Sequence, residues 1–196
     1  MRACVALMPP AAVLDELAAA LGPVRADRPG LRWTPAGQWH LTLAFLGEID
    51  ESVLPNLAER LGRAARRYPP MQLALRGAGR FGDRVLWTRV HAPGDLRALA
   101  ASVGAAARRC GIAVDDRPYR AHLTLARARP GTDLRPVVDV LRAFAGAVWT
   151  ADALHLVRSR LGAGPGGTAA HDVVETWPLG RPAASPTPTS GPFGGT

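Results

Sequence analysis

The chain has 196 residues, 47% apolar and 20% charged, and carries a net charge of +8 from 24 basic against 16 acidic side chains. That length fits one large domain or two small lobes sharing a core, and the composition is that of an ordinary soluble globular protein. No run approaches the roughly 18 apolar residues a membrane span needs, and Cys4 and Cys110 form no CxxC pair, so the expectation is a cytoplasmic protein with two free structural thiols and no membrane association.

Residues 2–8 alternate and predict a strand, and Pro9-Pro10 with Asp15 and Glu16 beyond it argues against a signal peptide. Residues 11–21 (AAVLDELAAAL) predict a helix stopped by Gly22-Pro23. A strand follows over 38–46, ending at Gly47, then a helix over 52–68 with Ser52 as its N-cap, then a strand over 71–77. The order then recurs: strand 84–91, helix 94–109 ended by Gly111, strand 121–127, helix 133–145 and strand 153–159. A Gly-rich flexible loop, 162–168, leads to a last strand over 171–177. From Arg181 the composition turns to Pro, Gly, Ser and Thr, which cannot bury enough apolar surface to offset ordering entropy, so 181–196 is expected to be a disordered tail.

The recurrence has a constant offset of 82 residues, the distance from His40 to His122. Shifted by it, the major elements of the first half fall on elements of the same type in the second. The pattern predicts an α+β fold over 1–180: a duplicated β-α-β-α-β unit in two pseudo-symmetric lobes (roughly 1–80 and 81–180, with terminal segments open to exchange between them). Antiparallel sheets would then flank a central cleft, where ligands tend to bind.

His-Leu-Thr-Leu occurs twice, at 40–43 and 122–125. On a strand, His and Thr share one face and the two leucines the other, so the leucines can anchor a core while His and Thr project into the cleft. Packing alone would explain Leu-x-Leu better than His-x-Thr. Two imidazoles can take a proton from water and give one to a leaving alkoxide near neutral pH, and two hydroxyls can hold phosphate oxygens. Arg127, two residues past Leu125, falls on the opposite face from Thr124 in a regular strand and reaches a phosphate only at a strand end or bulge. His91, His155 and His171 have no matching Thr or twin and read as surface or core residues. His-x-Thr is no metal-ligand spacing, so neither a metal nor another cofactor is expected. All 24 basic residues are Arg; the charge reflects coding bias as well as a pull on anionic partners.

WHLTLAFLGEID and DDRPYRAHLTLARAR resemble the two motifs of the two-histidine phosphoesterase superfamily, most closely the bacterial RNA 2′,3′-cyclic phosphodiesterases known as LigT-like 2′–5′ RNA ligases. RACVALMPP, LHLVRSRL and VVETWPL resemble the family's opening, penultimate and closing strands, so the likeness spans nearly the whole chain before the tail. The resemblance implies hydrolysis of RNA 2′,3′-cyclic phosphate ends, tRNA fragments included, by a monomer. It implies His40 as proton donor, His122 as proton acceptor, Thr42, Thr124 and Arg127 as phosphate ligands, and Phe45 as a base-stacking ring. Arg158 and Ser159 match the family's Arg-Ser pair near the cleft. Val157 departs from the aromatic residue common there. The alternatives are another cyclic phosphate or a 2′–5′ linkage as substrate, or an RNA-binding module without catalysis.

Overall fold

The computed structural model describes residues 1–160, 162–164 and 169–180. The expected disordered tail and positions 165–168 of the expected flexible loop lie outside the described residues. In chain order the elements are β1 (Arg2–Leu7), α1 (Ala11–Asp27), β2 (Arg32–Trp33), β3 (Leu41–Glu48), α2 (Leu54–Ala65), β4 (Met71–Phe81), β5 (Val85–His91), α3 (Leu96–Arg108), β6 (His122–Arg127), α4 (Arg135–Leu141), β7 (Ala145–Ala151), β8 (Ala153–Arg160) and β9 (Ala170–Pro178).

Two antiparallel sheets carry the cleft, in the orders β3-β1-β8-β9 and β2-β6-β5-β4-β7. The two histidine motifs occupy matching places: β3 borders β1, and β6 borders β5. Each sheet takes two strands from the other half of the chain, β8 and β9 in the first and β2 and β4 in the second, with β8 pairing with β1 and β4 with β5. The offset is not constant, since Cys4 faces Phe45 while Val85 faces Arg127, which relates β1 to β5 by 81 residues rather than 82.

The helices bury one stripe each, Leu57 and Leu61 in α2 and Leu96, Leu99, Ala100 and Val103 in α3, as a 3.6-residue period requires. α1 does not stop at Gly22-Pro23 but continues to Asp27 with Pro23 inside it. An interior proline costs about 3 kcal/mol. Against this, Val24 continues the buried stripe of Val13, Leu17 and Leu21. The added turn also carries Arg25, which donates Nη2–H to the Thr34 carbonyl at 2.8 Å. Its guanidinium lies 5.5 Å from the Trp33 ring and 5.4 Å from Trp39, so the turn clamps the segment that leads into the first histidine motif.

Ser52 is not a helix N-cap. The chain first makes a short 3-10 turn over Glu51–Val53, capped by Asp50, whose side chain accepts from the Ser52 N–H at 2.8 Å. The helix expected over 133–145 ends at Leu141, and 145–151 pairs instead with β4 as an edge strand that buries Gly146, Trp149 and Ala151. No helix among the described residues is long and apolar enough to cross a membrane.

Candidate active site

β3 and β6 share one irregularity. Ala6 lies opposite Thr42 and Val5 opposite Ala44, leaving Leu43 without a cross-strand partner. Likewise Trp87 lies opposite Thr124 and Leu86 opposite Ala126, leaving Leu125 unpaired. Such a bulge shifts the alternation by one residue. Leu43 and Ala44 are therefore both buried, as are Leu125 and Ala126. The residues that follow, Phe45 and Arg127, come round to the side of the threonines. The opposite-face placement of Arg127 in a regular strand does not hold, because the bulge removes it.

His40, Thr42, Phe45, His122, Thr124 and Arg127 all line one cavity of about 360 Å³. Phe45 stands 62% exposed at its wall. Ser159 lines the cavity too. Arg158 does not; it points to Asp172, at 3.5 Å. Val157 is fully buried beside Cys4 and Ala6 and presents nothing to the cleft.

The two imidazoles are held alike. His40 Nδ1 lies 2.8 Å from the Gln38 carbonyl oxygen, and His122 Nδ1 lies 2.6 Å from the Arg120 carbonyl oxygen. A carbonyl only accepts, so each Nδ1 carries the proton and each neutral ring leaves Nε2 with its lone pair. Among the described residues no hydrogen bond engages the hydroxyl of Thr42 or Thr124, and no carboxylate pairs with Arg127.

The surroundings of the rings differ. His122 stands edge-on to Phe81 at 4.9 Å and to Trp87 at 6.0 Å between centroids. His40 stands edge-on to His171 at 4.8 Å, with Cys4 Sγ 3.8 Å from its Nε2. Burial, reinforced by the neighbouring His171, pushes the His40 imidazole down to about 4, although the Gln38 carbonyl opposes the shift. His122 is also lowered by burial, against the Arg120 carbonyl. Burial pushes the Cys4 thiol up to about 12, so it stays protonated. The described lining holds Arg2, Arg32 and Arg127 and no carboxylate, a wall suited to an anion. Among the described residues no group of three or more His, Cys, Asp or Glu side chains is placed to hold a metal ion.

The family model of the 2'-5' RNA ligase superfamily matches residues 10–163. The chain belongs to this superfamily. A relative from Thermus thermophilus named RNA 2',3'-cyclic phosphodiesterase is 34% identical over 171 residues, covering 82% of this chain and 83% of that one. A relative of the same name from Escherichia coli K12 is 37% identical over 110 residues, 54% of this chain and 57% of its own length. One from Geobacillus stearothermophilus is 32% identical over 114 residues, 56% of this chain, and the match spans only 36% of that relative's length. Among solved structures, a Thermus thermophilus protein superposes with a TM-score of 0.74 at 32% identity, covering 91% of this chain and 98% of that one. Escherichia coli LigT in its apo form superposes with a TM-score of 0.71 at 25% identity, covering 92% and 98%.

Within this superfamily fold, several wall residues carried no sequence signal of their own. His171 comes from β9, on the far side of the first sheet, and reaches His40 only through the cross-sheet order. Arg32 and Trp33 belong to the two-residue strand β2, which pairs with the end of β6. Cys4 lines the cavity beside His40 rather than serving packing alone. A constant-offset repeat cannot point to any of them, because none has a like twin in the other half.

Proposed function

We propose that the chain hydrolyses 2′,3′-cyclic phosphate ends of RNA to 2′-phosphates by metal-independent acid–base catalysis, with His40 and His122 as the pair. The observation that carries this is the matched anchoring of two Nδ1–H groups to carbonyls two residues upstream, with both rings lining one cavity that has no carboxylate among its described lining residues. The cyclic phosphate would sit between the imidazoles. Thr42, Thr124 and Arg127 would bind its non-bridging oxygens, and Phe45 would stack on the terminal base.

Water attacks phosphorus while His122 Nε2 takes its proton. The bond from phosphorus to the 3′ oxygen breaks, and protonated His40 gives its Nε2 proton to that oxygen. The products are a 2′-phosphomonoester and a free 3′-hydroxyl, and the two rings exchange protons with solvent to reset. His40 is neutral in the empty cleft at pH 7, because burial and His171 hold it near 4. The bound phosphodiester anion supplies the charge that favours its protonated form.

One observation favours a second reading with the roles exchanged. His40 sits more deeply depressed than a proton donor needs, and a nearly two-fold site accepts the cyclic phosphate in either sense. Turnover of a dinucleotide 2′,3′-cyclic phosphate, followed by chromatography of the product in the presence of EDTA, tests the main proposal. Release of a 2′-phosphate at an undiminished rate is expected. Loss of turnover that a divalent ion restores would refute the metal-free mechanism.

A further inference from the structure

A second cavity, of about 420 Å³, opens where the chain enters β6, lined by Arg89, Arg97, Arg120, Trp87 and Tyr119. It adjoins the first site through His122. Arg89 is the cross-strand partner of His122, and such partners stand on one face of the sheet. Trp87, also in its wall, meets the His122 ring at 6.0 Å. Arg120 supplies the carbonyl that anchors His122.

The charge here is unpaired. Some exposed arginines elsewhere find carboxylates, as Arg63 does with Glu59, Arg108 with Asp116 and Arg135 with Asp133. Among the described residues Arg89, Arg97 and Arg120 have no ion pair, and no carboxylate lines the cavity. Two buried donors at its wall, the Trp87 Nε1–H and the Tyr119 hydroxyl, also lack partners. Three guanidinium groups around a concave surface suit a phosphate group.

We propose that this cavity holds a backbone phosphodiester of the RNA substrate, on the 5′ side of the nucleotide whose cyclic phosphate is opened. The proposal rests on the reading of the first cavity as a cyclic phosphodiesterase site. Chemistry sets the direction: an RNA that ends in a 2′,3′-cyclic phosphate continues only from its 5′ side. The second cavity adjoins the first at His122, so a strand that leaves past His122 runs toward Arg120. At about 3.3 Å per residue, Arg120 lies roughly 7 Å along the chain from His122, which is within reach of the adjacent nucleotide. Mononucleotide cyclic phosphates would miss this contact and longer ends would gain it.

The test compares a mononucleoside 2′,3′-cyclic phosphate with a tetraribonucleotide carrying the same end, in the wild-type chain and in Arg97→Glu and the milder Arg97→Ala. The first readout is the ratio of kcat/KM for the tetranucleotide to that for the mononucleotide. It is expected to fall about tenfold or more in Arg97→Glu, through KM. The second readout needs no turnover: fluorescence anisotropy of a labelled tetraribonucleotide 2′-phosphate against salt. The slope of log affinity on log salt should drop by about one phosphate contact. Melting curves identify a variant that fails to fold, in which case Arg97→Ala carries the comparison. An unchanged ratio with an unchanged salt slope overturns the proposal. If the wild-type chain opens neither substrate but the variants still weaken oligonucleotide binding, the cyclic phosphodiesterase reading fails and the phosphate site stands.

Discussion

His40, proposed as the proton donor, also bears on stability. Its imidazole is lowered from 6.5 to about 4, chiefly by burial. Between those two values the unfolded chain binds a proton that the folded chain does not, so stability rises with pH and is lost as pH falls through the window. The shift corresponds to something on the order of 3 kcal/mol. Melting temperatures measured from pH 7 to pH 4 should fall less steeply for His40→Asn than for the unaltered chain; parallel curves would show that His40 is not the source. In turnover, His40→Ala and His122→Ala should each lose roughly 10²–10⁴-fold, the usual size of a general acid or base contribution. The losses should not add if the two groups serve the one relay proposed. A nitrophenyl diester, whose leaving group needs no proton, separates the roles: His40→Ala should recover on it while His122→Ala stays impaired. The reverse pattern would establish the exchanged assignment. Both histidines and both threonines were legible because the repeated tetrapeptide carries them. His171 was not, since its place in the cavity wall comes from a contact between β9 and the residue before β3 that no local pattern encodes.

At the scale of elements, the two bulges decide what the repeat can show. Without them, Phe45 and Arg127 would point away from the threonines, and the cavity wall would lose the Phe45 ring and the Arg127 guanidinium. Sequence alternation fails there because a bulge is a property of two strands in register, not of one. The same limit hid β2 and β7, whose residues become strands only by pairing with β6 and β4. It also hid the extension of α1 through Pro23, where burial of Val24 and the Arg25 clamp outweigh a local preference. Another such pairing sets Gly79 beneath the Trp87 indole, where any Cβ would run into the ring. Gly79→Ala should therefore destabilise the chain by about 1–3 kcal/mol, the usual cost of overpacking. It should also lower kcat, because Trp87 packs on His122. Urea titration with kinetics on the folded variant checks both; a stable and fully active variant would mean that the indole has room to move.

At the scale of the molecule, the described chain closes on itself before the tail begins. Leu179 is buried and donates its N–H to the Asp152 carbonyl at 2.7 Å, and the Gly180 N–H reaches the Ala65 carbonyl at 3.2 Å. A truncation after Arg181 keeps all of these contacts, so melting temperature and turnover should match the full chain; a clear fall in melting temperature would show that residues beyond 181 pack on the domain. The exchange of strands between halves bears on how the protein is made. Synthesis delivers β1 first, but its neighbour β8 emerges only after some 150 further residues. Until then β1 has β3 on one side and an open, apolar edge on the other, the kind of edge that invites wrong pairing. A nascent chain halted before β8 would already contain both histidine motifs. It would still lack Ser159 and His171 and the strands that hold them, so catalytic competence should arrive only as the last strands leave the ribosome.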